Sequence, residues 1–93
     1  MPIRKRLVVV SFLASAFPAL AQQPVGIAGQ EQACAGEFSM MFDVEMSSVR
    51  VNGHDESPAG NTVIFLQTAD GAHQANCEVD DFGNVVEMVR TGG

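Results

Sequence analysis

The apolar residues of this chain repeat first with a helical period and then with a strand period. Between residues 30 and 42, Cys34, Phe38, Met41 and Phe42 recur at i, i+4, i+7 and i+8, which places them on one face of an α-helix. Glu31 then falls in the first turn, where the helix dipole favours an anion, and Gly36 weakens the helix by about 1 kcal/mol relative to Ala. Downstream the period becomes two. Residues 48–52 put Val49 and Val51 on one side of a strand and Arg50 on the other. Residues 61–68 have the β-branched and aromatic composition of a strand. Their run Val63-Ile64-Phe65-Leu66 is apolar on both faces, as expected of a central strand. Residues 73–80 alternate Ala75, Cys77 and Val79 with Gln74, Asn76, Glu78 and Asp80, and residues 85–90 form the last strand.

The punctuation agrees with that division. Residues 53–60 (GHDESPAG) read as a polar loop, Asp70-Gly71 as a hairpin turn, and Asp81-Phe82-Gly83-Asn84 as a second turn. The predicted fold is α+β: one N-terminal helix packed on a four-stranded antiparallel meander sheet, closed by one disulfide. The cysteines support it internally. Cys34 lies on the apolar face of the helix and Cys77 on the apolar face of its strand, so a helix covering that face brings the two sulfurs together.

Residues 1–21 stand apart. Three basic residues within 1–6 precede an apolar run over 7–17, Pro18 breaks it, and Ala19-Leu20-Ala21 supplies small residues for cleavage after Ala21. This is the order of a cleavable secretory signal, and the run is shorter than the roughly 20 apolar residues that span a bilayer. The expected organisation is a signal peptide over 1–21, a flexible linker over 22–29 and a single domain over 30–93, destined for the periplasm or secretion without a membrane anchor.

Removal of the signal changes the charge picture. Only Arg50 and Arg90 then face eleven acidic residues, a net charge of −9, and no Lys remains. Such a surface repels nucleic acid and anionic membranes and accepts cations or a basic protein partner. The remaining 72 residues are few for a self-sufficient core, so a staple is expected. In an oxidising compartment Cys34 and Cys77 form it, closing a loop of about 44 residues worth roughly 4 kcal/mol by chain entropy.

The series Val49-x-Val51, Thr62-Val63-Ile64-Phe65-Leu66, Asp70-Gly71 and the hairpin Val79-Asp80-Asp81-Phe82-Gly83-Asn84-Val85 resembles small exported bacterial proteins of the PepSY-like type. The resemblance covers about residues 32–90. It implies a helix packed on an antiparallel sheet and an envelope module without catalysis, inhibitory or regulatory toward another protein. It carries no site residues over.

Candidate chemistry is sparse. His54 and His73 are the histidines available as general bases, Ser57 near His54 is held by no motif, and no G-x-S-x-G, H-E-x-x-H or P-loop occurs. No catalytic residue and no cofactor is expected. Metal binding is the alternative reading: His54 with Asp55 and Glu56, or Asp70 with His73, joined by an exposed Met40, would suit copper or zinc. Asp80 opens a stretch like a calcium loop, but Phe82 at its third position offers no side-chain oxygen. The leading expectation is a non-enzymatic binding or regulatory module. Phe82 at a turn tip and the acidic pair Asp55 and Glu56 are candidate partner contacts.

Overall fold

The computed structural model describes residues 23–92; the expected signal peptide lies outside them. A helix α1 (Gly26–Phe42) leads through one 3₁₀ turn (Met46–Ser48) into strands β1 (Val49–Glu56), β2 (Thr62–Thr68), β3 (Gln74–Val79) and β4 (Val85–Arg90). The strands form one antiparallel sheet in the order β1-β2-β3-β4, the expected meander under one helix.

Alternation sorts the sheet into two faces, because residues directly paired across antiparallel strands point the same way. Ile64 pairs with Cys77 and Leu66 with Ala75. These four residues, with Val79, Cys34 and Phe38, make the buried core between helix and sheet. Val49, Val85 and Met88 extend it along the edge strands. Phe38 is completely buried, a gain of about 1.5–3 kcal/mol from its apolar surface. Cys34 and Cys77 are bonded, with Cα atoms 5.9 Å apart, within ordinary bridging distance.

The helix departs from expectation in two ways. It begins at Gly26, so residues 26–29 form its first turn rather than part of a linker, and Glu31 lies beyond that turn, which holds no acidic residue. Tertiary contacts decide this start. The Val25 N–H donates to the Asp81 carbonyl at 2.9 Å, and the Val25 side chain lies against the backbones of Gly29 and Gly83. Secondly, Met41 is exposed rather than in the core. The residues the helix buries are Gln30, Cys34 and Phe38. They form one i, i+4 ridge that Phe42 continues and Ala33 flanks, and this ridge packs on the sheet.

The sheet corrects a third expectation. β1 runs on through Glu56, so Gly53, His54, Asp55 and Glu56 belong to a strand and not to a loop. A bulge between Val51 and Gly53 allows it. Gly53 has φ 128°, a conformation that residues with a side chain avoid. The connection shrinks to a tight turn in which Ser57 begins, Pro58 follows and Gly60 closes at φ 87°, as in three-residue hairpin loops. The Asp70-Gly71 hairpin forms with a wider loop, closed by Thr68 N–H on the His73 carbonyl at 3.0 Å.

Candidate functional site

Among the described residues, α1 covers one side of the sheet and nothing packs on the other, the bare face. Its residues follow from the register: Arg50, Gly53 and Asp55 of β1, Val63, Phe65 and Gln67 of β2, Gln74, Asn76 and Glu78 of β3, and Glu87 and Val89 of β4. Two rows cross it. Gly53, Phe65, Asn76 and Val89 lie side by side in one; Asp55, Val63, Glu78 and Glu87 lie in the next. Phe65 stands beside Gly53, where a Cβ would lie 4.0 Å from the ring. The middle of the face is therefore apolar and one end of it is acidic.

Between β3 and β4 the face dips into a concavity of about 200 Å³ lined by Val63, Asn76, Glu78, Glu87 and Val89. Glu78 and Glu87 are direct cross-strand partners here, an arrangement of like charges that costs stability. Glu78 is held in place, because Asn61 Nδ2 donates to its Oε2 at 2.9 Å. Neither described arginine relieves the pair. Arg90 is on the helix side of the sheet, 5.0 Å from the centre of the Phe42 ring. Arg50 is on the bare face but at the far strand, donating to the carbonyls of Ser47 and Val49.

The structure disperses the candidate metal ligands. His54 pairs with Ile64 near one end of β2, whereas His73 follows the loop at the other end. The His73 ring stacks on Phe42 at 4.6 Å, and Met40 is exposed on the helix. Among the described residues no three His, Cys, Asp or Glu side chains converge as a metal site. His54, Asp55 and Glu56 line or border an open polar hollow of about 400 Å³, but alternation sends Asp55 to the bare face and His54 and Glu56 to the other. Asp70 and His73 share a hollow of about 270 Å³ with Thr68. There Asp70 Oδ1 accepts from the Thr68 hydroxyl at 2.7 Å and the Ala72 N–H at 3.0 Å. These bonds, Ala72's first, hold its carboxyl below the ordinary value of 3.8, with a small contribution from His73.

Of the candidate partner contacts, Phe82 is exposed at the tip of the β3–β4 turn. Asp80 builds that turn: its Oδ1 accepts from the N–H groups of Phe82 and Asn84, both at 2.9 Å. Bonding to Asn84, backbone first, and to Phe82 lowers the Asp80 carboxyl below 3.8. Sequence alternation already assigned Gln74, Asn76 and Glu78 to one outward face. It missed Val63, Phe65, Glu87 and Val89 as their neighbours. The β4 residues were hidden by a second irregularity, between Glu78 and Val79, which turns Val85 to the core while Glu87 and Val89 point outward.

Compared with family models, with curated proteins and with solved structures, the chain matches none. Among the described residues no helix is long and apolar enough to cross a membrane.

Proposed function

We propose that this chain is a small non-enzymatic module, exported to the periplasm or secreted, that binds and regulates another protein through its bare sheet face. The observation that carries the reading is the placement of Val63, Phe65 and Val89 together on the side of the sheet opposite α1. An apolar strip rimmed by polar side chains is the anatomy of a protein contact rather than of a substrate cleft. A buried disulfide fits the oxidising compartment to which the export signal would deliver the chain. The PepSY-like resemblance points to the same class of module.

The groups best placed for catalysis support this choice. Ser57, the hydroxyl nearest His54 in sequence, spends its Oγ on the Asn61 N–H at 3.0 Å and is buried in the first hairpin turn. Asp70 and Asp80 spend their carboxylates on their own turns. Each group has a structural role that its geometry explains.

Capture from periplasmic extract tests the proposal. Tagged, disulfide-bonded protein should retain a discrete partner, and a Phe65→Ser/Val89→Ser variant with a near-normal unfolding midpoint should lose it. No retained protein at any salt concentration, or equal retention by the variant, would contradict the reading.

A further inference from the structure

We infer that the occupant of the bare sheet face is a cationic segment of a partner protein, with an arginine or lysine side chain seated between Glu78 and Glu87. This rests on the protein-binding reading and names the chemistry of the surface that would be bound.

The concavity supplies both halves of such a contact. It is lined by the apolar Val63 and Val89 together with the two glutamates and Asn76. A long basic side chain has the matching construction, an apolar stem below a charged head. Glu78 and Glu87 are cross-strand neighbours, so their carboxylates can accept from one head group together. Charge-assisted bonds of this kind are the stronger ones. The pair also repels itself in the free protein, and an incoming cation removes that cost. Asp55 continues the acidic row two strands away, where a second basic residue of an extended segment would meet it. Phe65 in the next row offers a ring face for a guanidinium or an apolar neighbour.

A second copy of this chain is a poorer occupant by charge. The described residues hold two arginines against eleven carboxylates, so two copies repel each other by net charge. The two arginines are tied elsewhere, Arg50 to backbone carbonyls and Arg90 to the Phe42 ring on the opposite side. Complementarity therefore points to a foreign, basic surface.

The probe is a capped, unstructured peptide of alternating arginine and threonine, titrated at low salt into isotope-labelled, disulfide-bonded protein and followed by amide chemical shifts. The expected result is movement centred on Val63, Asn76, Glu78, Glu87 and Val89. E78Q/E87Q should weaken binding about tenfold, while E31Q/E37Q, an equal charge change on the helix, should weaken it less than about twofold. Equal weakening by both variants, or shifts scattered over all acidic sites, would overturn the inference by showing attraction to net charge alone. Concentration-dependent dimerisation through this face would overturn it in favour of a second copy. Absence of any shift would overturn the cationic occupant too. If wild-type protein still captures a partner through Phe65 and Val89, only the named chemistry falls; if it captures none, the binding reading falls as well.

Discussion

Gln30 donates its side-chain amide to the Asp80 carbonyl at 3.0 Å, tying α1 to the β3–β4 turn across 50 positions of sequence. Gln30 is buried and Asp80 half-buried, so the bond is partly shielded from water. Val25 adds a second tie to the same turn through Asp81. These two contacts fix where the helix starts and hold it over one face of the sheet.

Loss of the Gln30 amide should be felt as loss of this tie. Gln30→Ala removes one hydrogen bond while the Asp80 carbonyl keeps the Gly83 N–H at 3.2 Å, an expected cost of about 0.5–1.5 kcal/mol. Chemical denaturation of the disulfide-bonded protein measures it, and a change under about 0.5 kcal/mol would show that the tie contributes little.

Gly29, in the first turn of α1, and Gly36, in its interior, should respond to alanine in opposite directions. At Gly36 an added Cβ meets nothing within 4 Å, so Gly36→Ala should stabilise by about 0.8–1 kcal/mol through helix propensity. At Gly29 the Cβ would lie 2.6 Å from Val25 Cβ. Gly29→Ala should therefore displace Val25 from the helix start and lose stability despite its better propensity. Equal gains in both variants, measured by thermal unfolding, would show that Val25 does not pack there.

Much of this architecture was legible in the residues themselves. The periods of 3.6 and two gave the helix, the strands and their order, and the shared apolar faces of Cys34 and Cys77 gave the bridge between them. The failures have a common origin in contacts made at a distance. Gln30 reads as a polar helix residue until Asp80 arrives to accept its amide. Met41 matches the apolar spacing, yet the residues the helix buries are Gln30, Cys34 and Phe38, with Phe42 partly buried beside them. Residues 53–56 look like a loop because Gly53 and the charged side chains hide a bulged strand that gains its partners from β2. The bare face depends on register at both bulges, which alternation within one strand does not reveal.

Acid should weaken the fold through two turns. The carboxyls of Asp70 and Asp80 are held below 3.8 by the hydrogen bonds they accept. Their contribution is fully present above that ordinary value and is lost as pH falls through the lower folded-state values. Urea midpoints measured from about pH 5 to pH 2 should decline, and the decline should be shallower in D70N/D80N, whose amide oxygens still accept backbone N–H groups. An unchanged slope in that variant would assign the acid sensitivity elsewhere.

The disulfide should be both stabilising and slow to reduce. Cys34→Ala/Cys77→Ala should cost about 4 kcal/mol by loop entropy, seen as a large drop in unfolding midpoint. Both sulfurs lie in fully buried residues, so reductant reaches them through opening of the helix–sheet interface. Thiol release should accelerate as urea is added below the unfolding transition. Reduction at the rate of a surface disulfide in buffer alone would contradict the buried bridge.

The account stands most directly on the functional difference between the two sides of the sheet. A photo-crosslinking residue placed at position 65 on the bare face, and in a separate variant at position 40 on the exposed side of α1, tests it in living cells. Position 65 should yield a discrete adduct with a partner protein that position 40 does not give. No adduct at position 65, or the same adducts at both positions, would contradict the account.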